Sequence, residues 1–321
     1  MKKLLLLFGI VGGLIITACS DTKTESIHST SKDLASLSPK ETTIPSTTTI
    51  EETKELSEEF KKYWYAGSAE ITSYQLEQAR YGEIREGKAV LIYVTEDFAP
   101  KEQVKADHQN GDNIAVMKLN ATKKFNTGIY PYSIMQSIFY PVADDQHAIK
   151  VSNSMQEWCG HIYSQLNNRE KYNITSHSYF QREADQNFSI DKDILENELW
   201  AKIRINPDNL PIGDLQIIPS FEYSRLKHKE IKAFKATARL KEEGNLKTYS
   251  LTYPELNRTL SITFNNSFPH EIETWTETFK SGFGAGAKEL TTKATKLKRI
   301  KSPYWGKNSN KDEVLREELG L

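Results

Sequence analysis

Cysteine is scarce in this chain: Cys19 and Cys159 are the only two in 321 residues. If Cys19 is consumed by an anchor, Cys159 has no intrachain partner, and a disulfide framework is excluded. Long apolar runs are also missing. The longest, over residues 4–16, is shorter than the roughly 20 residues a membrane-spanning helix needs. Charge of one sign does not dominate, with 42 basic and 43 acidic side chains. That balance excludes a whole-chain electrostatic footprint for nucleic acid. There is no Gly-x-Ser-x-Gly elbow, no His-Glu-x-x-His helix and no repeat of fixed period. The glycines at 282, 284 and 286 lack the Lys-Ser/Thr pair and strand–loop–helix setting of a phosphate loop, so they read as a long turn.

What is present begins at the N-terminus. Lys2 and Lys3 precede the apolar run, which ends in Ile16-Thr17-Ala18-Cys19. A charged start, a short apolar stretch and small residues before a cysteine form an export signal. The segment resembles the bacterial lipobox, with Ile16 in place of the usual leucine. That resemblance implies cleavage before Cys19 and lipidation of its thiol. Two or three acyl chains hold far better than the marginal grip of one myristoyl chain. The expected location is the bacterial cell envelope, with the periplasmic face of the outer membrane preferred to the inner membrane or the cell surface. Losing Lys2 and Lys3 with the leader takes the formal net charge from −1 to −3.

Residues 19–56 are rich in Ser, Thr, Lys and Glu and poor in aromatics. Such a segment buries too little apolar surface to offset its ordering entropy and reads as a disordered tether. Its root-mean-square span is roughly 30–35 Å. The predicted organisation is a signal peptide (1–18), the tether (19–56), a single β-rich body (57–305) and a polar tail or short helix (306–321).

A short helix at Leu56, Phe60 and Tyr63 opens the body, which then changes to a period of two. Residues 89–94 form a short apolar strand, with Glu86-Gly87 read as a turn before it. Further strands are predicted over 114–120, 133–140, 148–158, 162–166, 178–180 and 215–221, and then over 231–240, 248–253, 259–265 and 271–279. The alternation Phe234/Ala236/Ala238/Leu240 is the clearest example. One helix interrupts the strands over 191–204, with Leu195, Leu199 and Ile203 on one face, Ser189 or Asp191 as cap, and Pro207 beyond its end. The fold class is mainly β: a large curved antiparallel sheet, of half-barrel or lipoprotein-carrier type, with one helix embedded in its concave side.

Several stretches resemble a family of envelope lipoproteins from Bacteroidetes-type bacteria. They are residues 64–83, the run Phe125-Asn126-Thr127-Gly128-Ile129-Tyr130-Pro131-Tyr132-Ser133, and Gln156-Glu157-Trp158-Cys159-Gly160-His161. The resemblance covers about residues 60–305 and implies an envelope lipoprotein without implying an activity. Some members carry the label "septum formation inhibitor Maf". The Ser-x-Ser-x-Arg-Arg loop of Maf pyrophosphatases is absent here, so no residue role carries over.

Glu157, Cys159 and His161 make the sharpest local constellation. On one strand they would share a face, and Cys with His can form a thiolate–imidazole pair or two metal ligands. Packing of Cys159 as a small hydrophobe, contact with a ligand, and catalysis all remain open. Tyr130, Tyr132 and Trp158 are candidates for a binding rim or an aromatic turn. Asp144, Asp145 and His147 read as a hairpin loop. The lysines from 288 to 301 read as a solvated or edge strand, where they block unwanted pairing, or as a contact for anionic polymers. No cofactor and no metal is assigned.

These observations point to a lipid-anchored envelope lipoprotein that binds a lipid, peptidoglycan, glycan or envelope protein and has no part in nucleic-acid binding. The alternative is a thiol- or metal-dependent hydrolase built on Glu157, Cys159 and His161.

Overall fold

The computed structural model describes residues 56–321, which fold as one unit. Cys19, the export signal and the tether lie outside the described residues. The first helix, α1 (Glu58–Trp64), has Ser57 as cap and buries Phe60 and Trp64. Three long strands and one very short one follow: β1 (Ala69–Arg80), β2 (Glu83–Ala99), β3 (Val104–Lys105) and β4 (Ile114–Thr127). The meander continues with β5 (Tyr130–Pro141), β6 (Lys150–Glu157), β7 (Gly160–Asn168), β8 (Tyr172–His177) and β9 (Gln186–Ile190). Next come β10 (Ile194–Leu195), α2 (Glu196–Ile205), β11 (Gly213–Ile218) and α3 (Phe221–Leu226). The last stretch holds β12 (Phe234–Glu243), β13 (Leu246–Tyr253), β14 (Arg258–Asn265), β15 (Ile272–Ser281), β16 (Lys288–Ser302) and α4 (Val314–Glu318).

All sixteen strands form one curved sheet. Its path runs from β10 through β16, across to β1, and on to β9, with β3 paired to β2 alone. The β16–β1 pairing brings the first and last strands together, so the two edges are β9 and β10, which are consecutive in the chain. β10 pairs parallel with β11; every other pair is antiparallel, so the sheet is mixed rather than purely antiparallel. β16 is also no edge strand. It pairs with both β15 and β1, and most of its lysines point outward from the middle of the sheet. Alternation reveals which face a strand buries but not which neighbours it pairs with.

Gly87 is the clearest departure from the expected turns. It lies within β2, opposite Leu76 and Phe125. The turn falls earlier, at Tyr81-Gly82, where both residues have positive φ, the signature of a two-residue hairpin. Gly87 is needed for close approach. A Cβ there would sit 2.4 Å from the Lys124 carbonyl oxygen and 2.8 Å from Phe125 Cβ. Gly87→Ala is therefore expected to lower stability by about 1–3 kcal/mol, through a backbone shift that overpacking forces. Urea unfolding checks this, and an unchanged midpoint would show that β4 gives way freely.

α2 sits in the concave side of the sheet. It starts at Glu196, later than the sequence suggests, because 194–195 form β10 and Leu195 becomes the cap position. Leu199, Ala201 and Ile203 are buried, and Trp200 meets Trp275 edge-on at 5.3 Å. The helix also buries Glu196, Asn197, Glu198 and Arg204, and the surrounding elements supply a partner for each. Glu196 accepts from Arg258 and Tyr253. Asn197 Nδ2 donates to Gln136, and Arg204 makes two bonds to Glu70 at 2.7 and 2.8 Å. Buried charges are tolerated only when paired in this way.

The predicted loop at Asp144 and His147 is a loop, and it also pins this helix. Asp144 accepts from Lys202 at 2.6 Å, and His147 Nδ1 lies 2.7 Å from Glu198 Oε1. The hydrogen bond to Glu198 holds the His147 imidazole above its ordinary range. Its folded value exceeds its unfolded value. Its contribution is thus fully present below about pH 6.5 and is lost as pH rises through the folded value. The difference in unfolding free energy between the protein and His147→Asn should therefore shrink as pH is raised from about 6 to 9. Parallel urea titrations check this; a difference that grows with pH would refute the assignment.

A second, smaller apolar cluster lies on the outer face. Ala69, Ile71 and Val94 are covered there by Leu319, with Ile92, Ile300 and Leu321 around them. The C-terminal segment, expected as a polar tail or short helix, contains α4 followed by Leu319, which is seated on the body.

Candidate functional site

In a meander every second turn lies at the same end of the sheet. The turns β1–β2, β4–β5, β6–β7, β8–β9 and β15–β16 therefore share one rim. The catalytic and ligand-binding candidates lie on it: Tyr130 and Tyr132 open β5, Glu157 closes β6, Trp158 and Cys159 form the turn, and His161 follows in β7.

The proposed thiol constellation does not assemble. Residues 157–161 form a hairpin rather than one strand, with Glu157 opposite Gly160 and His161 opposite Gln156. Glu157 and His161 therefore point to opposite faces of the sheet. Cys159 is exposed, and its backbone N–H donates to Glu157 Oε2 at 2.7 Å. The hydrogen bond to the Glu157 carboxylate pushes the thiol up, away from the thiolate a nucleophile requires. Among the described residues no three His, Cys, Asp or Glu side chains gather as metal ligands.

The aromatic candidates do assemble. Trp158 is 68% exposed and its ring centroid lies 6.4 Å from that of Tyr130. Tyr132 is 2% exposed and stacks on Phe125 at 4.9 Å, so it supports the rim from inside rather than facing solvent. Its hydroxyl lies 2.8 Å from that of Tyr81, and Tyr81 meets Phe283 at 6.0 Å. Arg80 ties the hydroxyls together through Nη2 and donates through Nη1 to the Leu226 carbonyl at 2.8 Å. On the other side of Trp158, the Tyr179 side chain crosses Gly160, and Tyr179 meets Phe180 edge-on at 5.4 Å. A chain of rings thus runs along the rim from Phe283 to Phe180.

Beside this rim opens a cleft of about 980 Å³. One wall is the inner face of β7, β8 and β9, with Ser164, Ser176, Gln186, Phe188 and Ile190. The opposite wall is α3, with Phe221, Ser224 and Arg225, and the segment after it to Lys232. Phe180 and Phe283 stand at the mouth. The Arg225 guanidinium lies over the Phe180 ring at 4.2 Å, 3.7 Å from Glu183, and His228 Nδ1 lies 2.5 Å from the same carboxylate. These contacts lock the β8–β9 loop onto the end of α3.

Deeper inside, a cavity of about 50 Å³ combines apolar walls such as Leu119, Ile138 and Trp275 with charged and amide groups. Among them, Glu222 accepts from Lys123 at 2.6 Å and from Gln136 at 3.0 Å. Burial pushes the Glu222 carboxyl up against the pull of Lys123.

α3 is not legible from periodicity, because it has only six residues, starts just two residues after β11, and opens with Phe221, which reads as the end of the preceding apolar strand. The signal was Ser220, whose side chain caps the helix at Tyr223. The predicted strand at 178–180 is instead the loop carrying Tyr179 and Phe180, and the true strands are β8 and β9 on either side.

No family model matches the chain, and no curated protein matches it. Among solved structures it is similar to a β-barrel-like protein of domain of unknown function DUF1849 from Brucella abortus. That likeness has 7% identity, a TM-score of 0.45, and covers 73% of this chain and 98% of that one.

Proposed function

We propose that the protein is a lipid-anchored bacterial envelope lipoprotein, of the Bacteroidetes-type family it resembles, and that it is a non-enzymatic binding module. The anchor is Cys19, and the body faces the periplasm from the outer membrane. The observation that carries the binding role is the cleft between α3 and the inner face of β7–β9, which is open to solvent and edged by aromatic rings. Clefts of this volume that combine aromatic walls with a few placed polar groups are the usual form of a ligand site. The thiol reading has less support, since the Glu157 carboxylate pushes the Cys159 thiol up and His161 points away from Glu157.

Two measurements test the proposal. Palmitate labelling of the expressed protein should be lost in Cys19→Ala. The purified full-length protein in detergent should retain a lipid, peptidoglycan, glycan or envelope protein in pull-down and native mass spectrometry. Phe180→Ala and Phe283→Ala should weaken that retention, while Cys159→Ser and His161→Ala leave it unchanged. No affinity for any of these would sink the binding role.

A further inference from the structure

Over β5 to β9 the inner face of the sheet is apolar except along one line. Gln136, Asn153, Ser164, Ser176 and Gln186 are paired across β5, β6, β7, β8 and β9, one per strand. At about 4.8 Å between strands the row spans roughly 19 Å. Its flanks are apolar, with Ile134 and Ile138 on β5, Val151 and Met155 on β6, and Ile162 and Leu166 on β7. The outer three members line the cleft, and the inner end reaches Glu222 and Asn197 through Gln136.

One residue on this line and two across the cleft have buried polar atoms without partners. Neither amide atom of Asn153 is hydrogen-bonded, although the residue is 1% exposed. Across the cleft, Ser224 Oγ is buried without a partner, as is Arg225 Nε. Buried amides and hydroxyls almost always have hydrogen-bond partners. Asn153 lies one strand inward of the cleft lining, whereas Ser224 and Arg225 line it, so a ligand there can supply the partner that Ser224 lacks. Charge adds a further condition. The lining holds Arg182, Arg225, Lys227, Lys229 and Lys232 against Glu183 and Glu230 only.

Resting on the binding-module reading of this cleft, we infer that its ligand is an acidic carbohydrate. Hydroxyl groups pair with the amide and hydroxyl row, and C–H faces of the rings lie on Phe180, Phe188 and Phe283. Carboxylates are drawn by the surplus of cations. Ser164 and Ser176 bond to each other and keep further hydroxyl capacity. An acyl chain suits the site poorly, because hydrocarbon would replace water there without offering a hydrogen bond to that capacity or to Ser224.

The test is titration of the full-length protein in detergent with uronic-acid oligosaccharides, namely galacturonate, glucuronate-containing and alginate oligomers. Their methyl esters, which keep the skeleton and lose the charge, are run beside them, with phosphatidylglycerol vesicles as a separate arm. At least one acidic oligomer should bind, with affinity that falls as salt screens the charges. Methyl esterification should cost about tenfold or more, and Ser224→Ala, Lys229→Gln and Phe283→Ala should each lower affinity by about tenfold. Lys229 and Phe283 are surface positions, so these two variants report binding even if Ser224→Ala perturbs folding. Equal binding of acid and ester would overturn the charge requirement. Binding to vesicles and to no saccharide would overturn the carbohydrate class. If another envelope ligand binds and Phe283→Ala releases it, the binding module stands and only the ligand class fails; if nothing binds, both fail.

Discussion

Arg204→Met is expected to lower the stability of the protein by about 3–5 kcal/mol, the cost of leaving a buried charge without its partner. Arg204 is 1% exposed and makes a forked pair with Glu70, which is fully buried. It also donates to the Pro269 carbonyl and lies over the rings of Trp64 and Tyr93. Removing it leaves the Glu70 carboxylate with the Tyr63 hydroxyl and, at 3.9 Å, the more distant Arg299 guanidinium. The midpoint of thermal unfolding should fall by about 6–20 °C for a body of this size. The double variant Glu70→Gln with Arg204→Met should recover part of the loss, because the orphaned charge is gone. A single-variant loss below about 1 kcal/mol would show that water reaches the pair.

The same pairs set the acid limit. Burial pushes the carboxyls of Glu70 and Glu196 up, and the charges of Arg204 and Arg258 override this and hold both below the usual carboxylate range. Their folded values lie below their unfolded ones. The stability they contribute is thus present above about pH 4.3 and is lost as pH falls through the depressed values.

The second large effect is expected from removal of residues 314–321. Leu319 is 5% exposed and sits on Ile71 and Val94, and its carbonyl accepts from the buried Ser73 hydroxyl. Loss of one such leucine side chain costs about 2–5 kcal/mol, and the deletion also uncovers the apolar strip beneath. The truncated protein should unfold at lower urea and bind a hydrophobic dye while still folded, since this strip lies on the outer face and α2 remains within. Dye binding equal to that of the intact protein would show that the strip closes on itself.

Much of the body was legible. Strands with one buried face show a period of two, and β12, β13 and β14 lie close to where that alternation places them. The hydrophobic face of α2 was legible for the same kind of reason. Its polar face was misleading: Glu196, Glu198 and Arg204 look like solvated residues, yet each is buried against a partner 50 or more positions away. Gly87 read as a turn because glycine signals both turns and close backbone approach, and only the neighbouring Phe125 distinguishes them.

The sequence by itself determined the mainly β body and its single long interior helix, and it is the sole ground for proposing an export signal with a lipid-accepting cysteine. Those properties depend on local periodicity and short motifs. Only the tertiary structure decided the closure of β16 on β1, the burial of the charged residues of α2 and the cleft between α3 and β7–β9. Each depends on contacts between residues far apart in the chain. The polar row shows this most plainly. Gln136, Asn153, Ser164, Ser176 and Gln186 are unremarkable singly, and strand register alone brings them into line.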